Sequence, residues 1–349
     1  MCRRKMTDQP QFRPQGDTLR APRAVRIVAP GRLHIGFLDL NGSLGRRFGS
    51  LGLTLERPAT RVFMQTAAEP SAVGPDSDRA RQALSRIART HGVDERVRIV
   101  VEEALPAHSG LGSGTQMALA IGVGASLLNG RGIDSPQVAA SLSRGARSSI
   151  GLGAFQGGGV LLDGGQPAGE RPSQPPPLLS RIAIPAAWRI LLIFDATRAG
   201  LSGATESEAM EGLPEFPEAL ADRLCRLVLM AALPAAASGD ARRFGLAVGE
   251  IQRRLGDHFS RFQGGRFTSP DVAEALQLIE AAGVPGVGQS SWGPTGFAIF
   301  GEAQAAELMA SDLRARFADR PNLTFDVVSG NNHGATIEDA RYGDDGASG

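Results

Sequence analysis

The sequence predicts a two-domain α+β protein, on three observations. Its 349 residues are about twice a common domain length. Strand-like and helix-like patterns are mixed within each half, and no fixed-period repeat runs through them. A Pro-rich, polar stretch after residue 165 breaks the pattern and marks the boundary. The expected order is a disordered N-terminal extension (1–23), a first domain (24–165), a linker (166–185), a second domain (186–340) and a short tail (341–349).

In the first domain, Ala24 to Ala29 reads as a strand closed by Pro30-Gly31. Leu33 to Leu40 reads as another, running into the turn Asn41-Gly42. Leu51 to Glu56 and Thr60 to Gln65 read as two strands split by Pro58. Apolar spacing at Ala80, Ala83, Leu84, Ile87 and Ala88 predicts a helix over 76–91, and Val97 to Val101 is a strand. Residues 116–128 suit a buried helix, and 135–143 a shorter one with Pro136 in its first turn. The stretch 145–159 is too glycine-dense for regular structure and reads as a long loop before a strand at Val160 to Leu162. The second domain reads as a strand (188–194), helices over 216–232, 242–255 and 270–282, a strand (296–300), a helix (303–318) and a strand (323–328).

Composition narrows the function. The 37 Lys+Arg against 36 Asp+Glu leave a formal net charge of +1, too little for a nucleic-acid clamp. Lys5 is the single lysine, so a Schiff base or a Gly-Lys-Ser/Thr phosphate loop would have to draw on the N-terminal extension. Phosphates, if handled, fall to backbone N–H groups, arginines and a metal. No apolar run approaches the roughly 18 residues of a membrane helix. The Arg-rich start lacks the apolar core of a signal peptide. Cys2 and Cys225 have no metal or disulfide spacing. A cytoplasmic protein without membrane or nucleic-acid partners is the expectation.

Three segments carry candidate chemistry. Ser109-Gly110-Leu111-Gly112-Ser113-Gly114-Thr115 precedes a helix directly. Its glycines let a backbone approach an anion, and the helix start adds free N–H groups and the positive dipole end. A plain Gly/Ser turn capping the helix is the competing reading. Arg147, in the glycine-rich stretch, offers a planar fork for phosphate or carboxylate. The loop 286–296 carries Gln289, Ser290, Ser291 and Trp292, which either line a substrate cleft or plug a domain interface. Arg32 and His34 alternate on one strand and share a face; Asp39 lies near a turn, where it is either a turn former or a site residue. His108 is a further anion contact to weigh, and Asp195, Glu206 and Glu208 follow a strand end.

Pro30-Gly31-Arg32-Leu33-His34, Leu105 to Gly114 and Gly288 to Pro294 fall in the order of the three motifs of the GHMP kinase superfamily, which the chain resembles from about Ala24 to Ile337. The resemblance implies a first domain like ribosomal protein S5 domain 2, a ferredoxin-like second domain and a site between them. The catalytic Asp of such kinases has no counterpart between Ser149 and Gly159, and the metal-holding Glu none between Gln137 and Ile150. Ala29 to Gly42 and Ala146 to Gly153 resemble, within the superfamily, the beta-ribofuranosylaminobenzene 5'-phosphate synthase family of tetrahydromethanopterin biosynthesis. That resemblance implies condensation of phosphoribosyl pyrophosphate with 4-aminobenzoate, releasing carbon dioxide and pyrophosphate, and leaves 4-hydroxybenzoate open as acceptor. It implies pyrophosphate on residues 109–115 with Mg²⁺, Ser113 as a weak metal ligand, phosphate on Arg147, benzoate carboxylate on Arg32 or His34, and Asp39 near ribose or metal. A homodimer is the expected assembly. An ATP-dependent small-molecule kinase and a non-catalytic ligand-binding member of the fold are the alternatives.

Overall fold

The computed structural model describes residues 22–169, 174–200, 208, 212 and 214–340. The extension up to residue 21, the tail from 341 and Glu206 lie outside the described residues. The first strand, β1 (Ala24–Asp39), is continuous through Pro30-Gly31, where an interruption was expected. A register shift against its neighbour between Pro30 and Arg32 re-aims it. Val25, Ile27 and Ala29 face one core, whereas Leu33, Ile35 and Phe37 face another. Likewise β2 (Arg46–Thr66) runs through Pro58, where two strands were expected; the Arg57-Pro58 peptide is cis.

β3 (Ser71–Val73), unforeseen in the sequence, is followed by α1 (Ser77–His91), β4 (Val97–Glu103), α2 (Ser113–Leu128) and α3 (Ser135–Ser141). The glycine-rich stretch read as a loop contains a helix, α4 (Ile150–Gln156). Its N-terminal residue segment is pinned from the next strand, β5 (Val160–Asp163): the Asp163 carboxylate accepts from the Ser149 N–H at 2.8 Å and from the Ser148 hydroxyl at 3.0 Å. Glycine propensity argues against a helix, but burial of Ile150, Leu152, Ala154 and Phe155 outweighs it.

The expected linker is partly sheet. β6 (Gln166–Pro167) pairs with β2, and β7 (Leu178–Ile182) pairs with β5. The second domain then forms β8 (Arg189–Asp195), α5 (Glu218–Leu227), a π-helical turn over 228–232, α6 (Leu233–Ser238), α7 (Ala241–Gln263) and α8 (Pro270–Ala281). β9 (Val287–Gln289), β10 (Gly296–Phe300), α9 (Ala303–Arg316) and β11 (Leu323–Val328) complete it. Its antiparallel sheet has the order β11-β8-β10-β9, the ferredoxin-like arrangement. The chain then returns to the first domain, where β12 (Thr336–Asp339) pairs with β1.

The apolar run of β8 is buried on both faces. Leu191 and Ile193 face α8 and α9, while Ile190 and Leu192 join Leu33, Leu53, Phe244, Ile251 and Phe297 in a core shared by both sheets. That core makes the two domains one packing unit. No described helix is long and apolar enough to cross a membrane. Phe244 is fully buried in the shared core and stacks on Trp188 at 5.1 Å. Phe244→Ala is expected to cost about 3–5 kcal/mol, with fluorescence and far-UV circular dichroism following one coincident denaturant transition. Separate transitions for the two signals would contradict a shared core.

Candidate functional site

The glycine loop between β4 and α2 is held open by its backbone. Gly110 and Gly112 adopt φ of 85° and 89°, a region that disfavours side chains. A Cβ on Gly110 would sit 2.0 Å from the Ser290 carbonyl, and one on Gly112 3.3 Å from the Arg32 guanidinium. Among the described residues, no group accepts from the N–H of Gly110, Leu111, Gly112, Ser113 or Gly114. Five successive free N–H groups thus meet the positive end of the α2 dipole, with no side-chain cap.

The three sequence motifs converge on this loop. The Arg32 guanidinium donates to the Gly110 carbonyl, and the Arg32 N–H donates to Leu111 O at 3.1 Å. The Ser290 hydroxyl donates to the same Gly110 carbonyl at 2.7 Å and accepts from the His34 N–H at 3.0 Å. The Ser291 N–H donates to His34 O at 3.0 Å, and Gly293 lies directly against Ser109. Ser109 and Thr115 are turned to structure: the Ser109 hydroxyl donates to Pro106 O at 2.8 Å, and the Thr115 methyl packs where Gly151 comes close.

Beside the loop is a narrow pocket walled by His34, Phe37, Phe259, Gln263, Arg266, Gln289, Ser291 and Trp292. Phe259 and Trp292 pack at 4.8 Å, and His34 meets Phe37 edge-on at 4.7 Å. The open space is ≈ 40 Å³, enough for a few waters, so an aromatic ligand enters only as the wall yields. At its rim, Arg266 is held to Asp257 by a 2.8 Å pair between exposed side chains. Such pairs are weak.

His34 is 4% exposed, and its Nε2 has no hydrogen-bond partner. Burial, then the neighbouring Arg32 charge, lowers its pKa to about 3, so the ring is neutral at physiological pH. A buried nitrogen left unsatisfied in a pocket is a ready contact for a polar ligand atom.

Other expected site residues lie elsewhere. Arg32 belongs to the glycine loop and does not line the pocket. Asp39 is a turn former: its Oδ1 accepts from the N–H of Asn41 at 2.7 Å and of Gly42 at 3.0 Å, about 17 Å along the strand from His34. Burial pushes the Asp195 carboxyl up, but hydrogen bonds from Ser269, Thr197 and Asn322 outweigh it and hold it below the usual carboxylate range. Asp195 thus serves the fold. His108 is exposed, with its carbonyl accepting from the Gly200 N–H at 2.8 Å. Arg147 sits on the turn between α3 and α4. A second guanidinium against the loop, besides that of Arg32, is that of Arg144, three residues before Arg147, which lies 3.3 Å from the Cβ position of Gly114. Its position after a short helix gave no motif to read.

Among the described residues no three His, Cys, Asp or Glu side chains cluster as a metal site. The loop offers hydroxyls, amides and arginines, which do not form a cage for a divalent cation.

The chain matches the GHMP kinases N terminal domain over residues 78–158 and the GHMP kinases C terminal region over 232–319. Homoserine kinase from Cytophaga hutchinsonii shares the fold at TM-score 0.62 and 16% identity, over 93% of this chain and 100% of that one. Mevalonate diphosphate decarboxylase from Staphylococcus aureus does so at TM-score 0.61 and 14% identity, over 90% and 98%. Two relatives are named beta-ribofuranosylphenol 5'-phosphate synthase. That of Methanothermobacter thermautotrophicus is 30% identical over 79% of this chain and 88% of its own length. That of Archaeoglobus fulgidus is 31% identical over 90% and 99%.

The neutral His34 makes a pH prediction. The unfolded ring binds a proton below about pH 6.5 while the folded ring does so only near 3, so stability falls as pH drops between these values, by at most about 1.4 kcal/mol per unit. His34→Gln is expected to flatten that part of the acid-unfolding curve, and an NMR titration placing the native His34 pKa near 6.5 would refute the assignment. By the identity and mutual coverage of these relatives, the chain belongs to the beta-ribofuranosylphenol 5'-phosphate synthase family of the GHMP kinase superfamily.

Proposed function

We propose that the glycine loop and the adjoining pocket join phosphoribosyl pyrophosphate to a para-substituted benzoate, releasing carbon dioxide and pyrophosphate. By its family the chain is a phosphoribosyl-transferring enzyme of the glycosyltransferase type. The observation that carries the assignment of the site is the row of five unpaired N–H groups at the α2 start, flanked by the guanidinium of Arg32. It is a donor array for a departing pyrophosphate, whose negative charge grows as the C1–O bond breaks. It also does without lysine.

The ring carbon that bears the carboxylate attacks C1 of the sugar, and the C1–O bond breaks with its electrons on pyrophosphate. The ring–carboxylate bond then breaks, its electrons restore the aromatic ring, and carbon dioxide leaves. A para donor, hydroxyl or amino, supplies electron density at that carbon. No strong base is required, in keeping with a site whose histidine is only weakly basic, its pKa lowered to about 3. The chain's tasks are alignment of the ring against C1 and stabilisation of the leaving group. In this reading Phe259 and Trp292 flank the aromatic ring, and His34 Nε2 meets a polar atom of the acceptor. Arg266, freed from Asp257, is a second cation within reach of the pocket.

The relatives' names specify a phenol product, which favours 4-hydroxybenzoate over the 4-aminobenzoate expected above. Mg²⁺ enters this proposal as an ion carried on the substrate's phosphates, with Ser113 at the helix start as its one assigned protein oxygen. A cytoplasmic homodimer is part of the same proposal; exposed Leu229, Met230 and Leu246 offer an apolar surface for it, and sedimentation velocity reads the assembly.

Incubation of the purified protein with phosphoribosyl pyrophosphate, Mg²⁺ and either benzoate is expected to release carbon dioxide and pyrophosphate in equal amounts. Release with neither acceptor would overturn the reading, and the ratio of kcat/KM values decides between them. Gly112→Val combines a disfavoured φ with a clash on Arg32, and is expected to lower kcat/KM by about 100-fold or more while the fold survives. Full activity in that variant would remove pyrophosphate from the loop.

A further inference from the structure

At the far end of the same loop lies a cation that no carboxylate among the described residues balances. Arg144 is largely buried, and its Nε is sealed from solvent without a hydrogen-bond partner. Among the described residues no carboxylate lies within 4.0 Å of it, and it donates to none of them. Its guanidinium rests on Gly114, with Nη1 and Nη2 at 3.3 and 3.4 Å from the glycine's Cβ position. The groups facing it from α1 are cations as well. Arg79 and Arg86 stand seven residues apart on one face of that helix, two turns from each other.

Asp76 is already paired with Arg79 at 2.8 Å, and Arg86 donates to the Ser143 hydroxyl at 2.8 Å. Burial first, then the like charges of Arg79 and Arg86, lowers the Arg144 pKa from its ordinary value. Desolvating a guanidinium among like charges is costly, and a fold retains such a group where an anion completes it.

We infer that Arg144, with Arg79 and Arg86 behind it, forms a subsite for a phosphate monoester, distinct from the pyrophosphate position, and that it takes the 5'-phosphate of the ribosyl substrate. This rests on the function proposed above. The order of groups along the loop carries the assignment. The Gly110 end touches Ser290 and, through it, His34 and the acceptor pocket. C1 and its leaving group must lie beside the acceptor, so the Gly114 end, four residues further on, receives the group most remote from C1. That group stays on the product when pyrophosphate departs, which calls for a separate holder. A planar guanidinium binds two phosphate oxygens at once.

The test titrates ribose 5-phosphate and, separately, pyrophosphate into the full-length protein and its Arg144→Met and Arg144→Lys variants by calorimetry, with thermal unfolding of each. Arg144→Met is expected to weaken ribose 5-phosphate by about tenfold or more, and pyrophosphate by less than about threefold. Arg144→Lys keeps the charge without the fork and should fall between. Without ligand, Arg144→Met should melt no lower than the parent, because it removes an unbalanced buried cation. Equal weakening of both ligands would move Arg144 to the pyrophosphate position, and unchanged binding in both variants would make it structural; either overturns the inference. A lower melting point in Arg144→Met also counts against it, and Arg144→Lys then still reads the ligand preference. A parent that binds ribose 5-phosphate through Arg144 but turns over neither benzoate would overturn the functional reading and leave the subsite standing.

Discussion

The carbonyl oxygen of Gly110 is the point on which the site depends. It accepts from the Arg32 guanidinium and from the Ser290 hydroxyl, which itself accepts from the His34 N–H. Segments some 78 and 180 residues apart are thereby tied at one atom. Turning that carbonyl toward β1 and the 288–294 loop requires the left-handed φ of Gly110, and the same twist leaves the following amides facing outward without acceptors. The interaction that closes the two domains on each other therefore also prepares the donor array.

Gln252 reinforces the junction from the other side. Its side chain donates to Ile35 O and accepts from the Gln289 N–H at 2.8 Å, so α7 is stitched to both β1 and β9. Gly288 leaves room for it, since a Cβ there would lie 2.4 Å from Gln252 Cγ. The cleft thus has a hydrogen-bonded floor of strands and, at its rim, Arg266 in an exposed ion pair. A reaction that needs a dry, aligned encounter followed by release of two small products suits such a floor with an edge held by a weak pair.

The polar groups that matter here are ones that stability alone would not select. His34 keeps an unsatisfied nitrogen in a pocket, and Arg144 an unbalanced charge beneath a loop. Each costs the folded chain stability. Near-neutral overall charge coexists with this because the positive potential is local, built from a few arginines and the amides of one helix start.

The glycine loop, the early Arg32-Leu33-His34 strand and the Gln289 to Trp292 loop were legible in the sequence, because backbone conformations that exclude side chains leave glycine in the chain. So were the apolar strands and helices, whose burial follows a short period. The helix at Ile150–Gln156 was not, since its glycines hide a segment stabilised only by what covers it. Nor were β6, whose partner β2 lies far off in the chain, and β7, which pairs with β5 across the Pro-rich stretch that reads as a linker. Asp39, beside a motif in the chain, closes a turn, and Arg144, which no motif marks, lies against the loop. Local sequence determined which residues can form an anion-binding backbone and which strands carry the core, because those are constraints of φ and of period. Only the tertiary structure decided which charges face that backbone and which nitrogen is left unpaired, because those depend on segments that meet through the shared core and not through the chain.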